Sequence, residues 1–109
     1  MTISVRESGS AQVVDVEGEV DLDTSPHLRR ALFDLLGKKP KLALNLRDLR
    51  YIDSSGIATL IEVLKTAQRL QMEFVLFGLS PAVQDAFRLT HVNRVFRIVE
   101  TEEQALIPA

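Results

Sequence analysis

Residues 50–60 read RYIDSSGIATL. A β-like segment runs straight into Asp53-Ser54-Ser55-Gly56, and an apolar pattern with helical spacing starts at once behind it. Ile57, Leu60, Ile61, Leu64 and Ala67 share one face of that helix, and Glu62, Lys65 and Arg69 share the other. Asp53 or Ser54 is the expected N-cap, its side-chain oxygen accepting a free backbone N–H. Gly56 is expected to let the backbone turn tightly and to keep the helix start uncrowded. The same geometry suits a switch. A serine at an exposed helix start sits among unpaired N–H groups at the positive end of the helix dipole, so the domain tolerates a phosphate there. That phosphate adds about −1.5 to −2 charges to whatever surface docks on this edge. It would eject a partner without unfolding the domain.

Outward from this stretch, the periodicity switches between two and 3.6. Residues 2–7 alternate, 8–11 form a turn, and 12–20 alternate again, with Val14, Val16, Gly18 and Val20 on one face. This is a half-buried antiparallel hairpin. Leu28, Ala31, Leu32, Leu35 and Leu36 then mark a helix started by Thr24 or Ser25 with Pro26 behind it, and closed by Gly37. Residues 41–49 read as one strand covered on both faces, and 73–78 as another. Ser80-Pro81 opens a helix carrying Val83, Ala86 and Phe87; residues 94–99 form a short strand; Thr101 to Gln104 matches a capping box. The order is β-β-α-β-α-β-α-β-α. It predicts a single α/β domain over 1–109, with a central mixed sheet, an N-terminal hairpin, parallel strands and about four helices. In such sheets the functional edge is where strands end and helices begin. Residues 53–56 lie on that edge.

Bulk composition removes several classes of function. The chain of 109 residues carries 13 basic and 15 acidic side chains, a net charge of −2. It lacks the basic excess that draws nucleic acid. It has no cysteine, which removes disulfides, thiolate metal sites and a cysteine nucleophile. No apolar run approaches the ~20 residues of a membrane helix, and the first twenty residues contain no signal-peptide core. These features predict a small, soluble, cytoplasmic domain without direct membrane insertion.

Other constellations carry less. Asp15, Glu17, Glu19, Asp21 and Asp23 alternate, but a calcium loop built on Gly18 would put Val13 in its first ligand position. They are read as solvated charge on an outer strand face, which discourages edge pairing. His27 and His91 are distant in sequence and are read as surface or boundary residues, so no metal site is expected. Ser54 lies in no G-x-S-x-G elbow, and phosphate-binding glycine motifs are absent, so neither catalysis nor a cofactor is expected. Ala58, Glu62, Lys65 and Arg69 are the candidates for an exposed face next to Ser54.

The segment LNLRDLRYIDSSGIATL, 44–60, resembles the signature of STAS domains of the anti-sigma-factor antagonist type. The likeness extends to VEGEVDLDTSPHLRRAL, 16–32, and to FVLFGLSPAVQDAFRLTHVNRVFRIVETEEQAL, 74–106. The resemblance implies a protein that binds an anti-sigma factor, itself a serine kinase, and thereby frees a sigma factor. It implies phosphorylation of Ser54 by that kinase and reversal by a serine phosphatase. It gives Asp53 and Gly56 the role of shaping the motif, leaves Ser55 as the adjacent hydroxyl and places Asp21 near the partner surface. It implies a monomer in preference to a dimer. The alternative it leaves open is a constitutive subunit of a lipid-transport ABC system or of a larger signalling assembly. There Ser54 would be a cap only, and transporter subunits would be the partners.

Overall fold

Strand β2 (Ala11–Val20) organises the sheet because it has more edge than one neighbour can use. β1 (Thr2–Ser8) pairs antiparallel along one side of it through the tight turn at Gly9 and Ser10. On the other side, Ala11–Asp15 pair with β3 (Lys41–Asn45), and Gly18–Val20 pair with β4 (Leu49–Ile52), both parallel. β5 (Glu73–Phe77) and β6 (Arg97–Val99) continue from β3, giving the order β1-β2-β3-β5-β6 with β4 attached to β2 alone. The helices are α1 (Ser25–Leu35), α2 (Ser54–Arg69), α3 (Pro81–Leu89) and α4 (Glu102–Leu106). This arrangement comes from a computed structural model that describes residues 1–108.

Residues 41–49 do not form one strand: the chain leaves the sheet after Asn45, turns through 46–48 and re-enters as β4, so the described residues form six strands and not five. The register of β2 shifts between Gly18 and Glu19 to receive it. Gly18, at φ +99, donates its N–H to the Asp48 carbonyl at 3.0 Å across that gap. A side chain is poorly tolerated there on two counts, the positive φ and a Met1 Cα 3.2 Å from any added Cβ. The last strand is also shorter than 94–99, beginning only at Arg97.

The alternation along β2, β3 and β5 separates two cores. Val14, Val16, Leu42, Leu44, Phe74 and Leu76 face α1, α2 and α3, where Leu28, Leu32, Leu60, Val63, Val83 and Phe87 complete the large core. Val13, Ala43, Val75 and Phe77 face the other way and are covered by Ala105 of α4. A helix of five residues is marginal by itself. It is held by ions: buried Lys41 donates from Nζ to the carbonyls of Ala105 at 2.8 Å and Ile107 at 3.0 Å, at the negative end of the helix. At the other end Arg6 bridges Asp15 at 2.8 Å and Glu102 at 2.8 Å. Asp15 is therefore not solvated edge charge, as the alternation suggested. Arg6 first, and the Asn45 amide after it, hold its carboxyl below the usual range against the opposing effect of burial. Among the described residues no helix is long and apolar enough to cross a membrane.

At Gly56, α2 packs tightly against the sheet. A Cβ on Gly56 would lie 2.7 Å from both Ile52 Cγ1 and Val20 Cγ1. The glycine is thus required by packing, and a turn is not the reason, since its φ is not in the left-handed region. Gly56→Ala is expected to lower stability by about 1–2 kcal/mol. Overpacking costs about 1–3 kcal/mol, and alanine's helix propensity offsets up to about 1 kcal/mol of that. Urea unfolding checks it: the midpoint should fall at constant slope, and an unchanged midpoint would mean the two side chains simply move aside.

Candidate functional site at the start of the second helix

β4 delivers the chain to this site and Asp53 stops it. The Asp53 N–H still donates to the Val20 carbonyl at 3.1 Å, as a last rung of the β2–β4 pairing. Its side chain already serves the helix. Asp53 Oδ1 accepts from the Ser55 N–H at 2.9 Å, the Gly56 N–H at 3.2 Å and the Ser55 hydroxyl at 2.6 Å. Asp53 is the cap, and Ser54 is not. The Ser55 hydroxyl bond is the main reason the Asp53 carboxyl is held below its usual value. The backbone groups of Gly56, Ser55 and Leu22 add to it, and partial burial opposes it.

Ser54 is exposed at the first helical position, and among the described residues no hydrogen bond uses its hydroxyl. The expectation that it sits among unpaired N–H groups needs correction, because Asp53 has taken those of Ser55 and Gly56. A phosphate on Ser54 would gain from the helix dipole but would find those donors occupied and an ionised carboxylate next to it. Its charge would face outward.

The β2–α1 loop forms the adjoining wall. Asp21 Oδ1 accepts from the N–H groups of Asp23 and Thr24, each at 3.0 Å, and the Asp21 N–H donates to Thr24 Oγ1 at 2.9 Å. Asp21 therefore braces the entry to α1. The expected cap from Thr24 or Ser25 does not form: no side-chain bond caps α1 from Thr24, whose hydroxyl instead donates to the Glu19 carbonyl at 3.0 Å. Ala58 and Glu62 lie one and two turns beyond Ser54 on the exposed face of α2, and Glu62 is ion-paired to Arg29 of α1 at 3.1 Å. Gly56 is buried and shapes the site from beneath.

One residue of this edge was not anticipated. Leu22 is 74% exposed, between two aspartates, in the loop whose backbone reaches Asp53. The signal was available: a leucine outside both apolar periodicities, flanked by Asp21 and Asp23, has no core to join.

Ser55→Ala removes the strongest influence on Asp53, so the Asp53 titration midpoint should rise toward the ordinary carboxylate value. A carboxyl with a depressed folded pKa contributes fully above its unfolded value near ~3.9 and loses that contribution as pH falls through the folded value. In the variant this contribution is smaller at neutral pH. A carbon-detected NMR titration of Asp53 in both proteins checks it, and identical midpoints would assign the depression to the backbone alone.

Comparison with known proteins agrees with this geometry along nearly the whole chain. The family described as "STAS domain" matches residues 2–105. A protein named anti-sigma-B factor antagonist from Listeria monocytogenes is 29% identical over 104 residues, covering 94% of this chain and 91% of the relative. The crystal structure of an anti-sigma factor antagonist from Mycobacterium paratuberculosis superposes with a TM-score of 0.87 at 25% identity, covering 96% of this chain and 90% of that one. The Bacillus cell fate determinant SpoIIAA, solved in its phosphorylated form, shares the fold with a TM-score of 0.72 at 18% identity, covering 96% of each chain. A β4-fed helix start, a capping aspartate and a glycine with no room for a methyl thus sit in a chain that belongs to the STAS domain family.

Proposed function

We propose that this chain is an anti-sigma-factor antagonist that binds a partner-switching anti-sigma factor with serine-kinase activity. Binding releases the sigma factor, and reversible phosphorylation of Ser54 ends the binding. The carrying observation is the division of labour at the start of α2. Asp53 caps, Ser55 holds Asp53, Gly56 allows the packing, and Ser54 has an exposed hydroxyl with no structural duty. That hydroxyl is open to modification at no cost to the fold.

In the transfer, the Ser54 oxygen bonds to the γ-phosphorus of ATP held by the partner. The β–γ bridging bond breaks, ADP leaves and the hydroxyl proton passes to a base of the kinase. A serine phosphatase restores the hydroxyl with water and releases inorganic phosphate. The chain supplies the acceptor and its presentation and needs no catalytic group or cofactor of its own. The new charge stands beside ionised Asp53, with Asp21 and Asp23 in the neighbouring loop, and disfavours any surface that had docked on this edge. The names of its relatives support the antagonist role. The setting in which such partners meet is the cytoplasm.

The experiment is a capture from the native host with wild-type and Ser54→Asp baits, read by mass spectrometry. A kinase-like anti-sigma factor retained by wild type and lost with Ser54→Asp is the expected result. Transporter subunits retained equally by both would overturn it in favour of a constitutive STAS subunit. A companion measurement separates switch from cap. Ser54→Ala should leave stability within about 0.5 kcal/mol, whereas Asp53→Ala should cost about 0.5–2 kcal/mol.

A further inference from the structure

The exposed stripe of α2 does not end at Glu62. Beyond it, Lys65, Thr66 and Arg69 face Arg29 and Phe33 of α1 across an open groove of about 460 Å³. The groove has a distinct chemistry. The Arg29 guanidinium lies 4.5 Å from the Phe33 ring centroid and is fixed from the side by Glu62. Among the described residues, neither Lys65 nor Arg69 has a carboxylate within ion-pair distance. Three cations therefore meet one anion around an aromatic floor, in a chain whose net charge is −2. Local excess against the overall sign is a feature of surface that recognises charge.

We propose that the α1–α2 groove holds an acidic segment of the protein partner that docks at Ser54, with an aromatic or aliphatic side chain of that segment resting on Phe33. This rests on the partner-binding reading above and extends it to a second contact of opposite polarity. The Ser54 end presents Asp21, Asp23 and Asp53, so it favours basic groups; the groove presents Arg29, Lys65 and Arg69, so it favours acidic ones. A surface with both signs in fixed order sets the orientation of its partner and rejects uniformly charged ones. Nucleic acid is a poorer occupant, because its affinity comes from many phosphates along a track, and the acidic end interrupts the track.

Glu62 lies eight residues from Ser54, or about 12 Å along the helix at 1.5 Å per residue. That exceeds the Debye length of about 8 Å at physiological salt, so charge at Ser54 is largely screened at the groove. The two contacts can therefore be tested apart.

The isotope-labelled full chain is titrated with a short glutamate-rich peptide bearing one central tryptophan, with its lysine-rich counterpart and with a DNA duplex. The expected result is saturable shift changes at Arg29, Phe33, Lys65 and Arg69 with the acidic peptide alone. Lys65→Glu with Arg69→Glu should weaken it at least about tenfold. Glu62→Gln, which removes the groove's one carboxylate, should tighten it about two- to threefold. Ser54→Asp should leave it unchanged. Opposite shifts from two exposed substitutions do not arise from a folding defect, and the amide spectrum verifies the fold of each. No saturable shift, equal binding of the lysine peptide, tighter binding of DNA, or indifference to the double charge reversal would overturn the proposal. Loss of partner selectivity in the Ser54→Asp capture would instead overturn the switch, and would leave the groove result standing.

Discussion

The first turn of α2 rests on Val20 and Ile52 with no room for a single methyl group between them. Much else follows from that contact. Both side chains must be at the same level, so β2 and β4 must be neighbours, and β4 can reach β2 only because the chain breaks from β3 after Asn45. The shift at Gly18 and the hydrogen bond to Asp48 accommodate that break. With the helix seated so low, its first N–H groups come within reach of the Asp53 carboxylate, and the side chain at the preceding turn position is pushed outward. Exposure of Ser54 is thus a result of packing beneath it.

Electrostatics then give that exposure a direction. Asp53 is held ionised by a hydroxyl and by backbone donors, and these donors are spent on it. The edge is anionic before any modification, and further negative charge there has no cation to meet in the same turn. Beyond Glu62, about three to four turns on, the sign of the surface reverses at Lys65 and Arg69, with Arg29 of α1 beside them. The helix presents an acidic end and a basic flank along one exposed stripe.

Most of this was legible in the residues, and what was not had identifiable causes. Periodicity located α1, α2 and α3 because each buries one face and so writes its period into the sequence, while β5, covered on both faces, showed as a continuous apolar run. Alternation ran β3 into the turn beyond because Leu46 in that turn is buried like Leu42 and Leu44 in the strand, and burial in a turn looks the same as burial in a strand. The strand–helix edge was legible, as was a helix cap within residues 53–56, but the allocation of structural roles among them was not. Asp and Ser are both good caps, and the choice between them depends on where β4 delivers the chain. Asp15 was misread for a similar reason. Alternation shows which side a residue faces, while its partners Arg6 and Asn45 come from the strands on either side of β2. The reading of Asp21 as a surface residue lacked its second use, which is to fix the loop that carries Leu22.

The small second core has a consequence for the order in which the molecule opens and closes. Its lid, α4, is tied down by Lys41 to Ala105, 64 residues apart, and by Arg6 to Glu102, 96 apart. Contacts of that separation carry the largest loop-closure entropy in the chain, while the α1–α2 face is assembled from segments close in sequence. The two sides of the sheet should therefore differ as cooperative units. Amides of α4 are expected to exchange with solvent through local openings that leave α2 protected, and each such opening exposes Val13, Ala43, Val75 and Phe77 together. The start of α2 and this expected site of opening lie on opposite sides of the sheet, so fluctuation on one side leaves the geometry around Ser54 undisturbed.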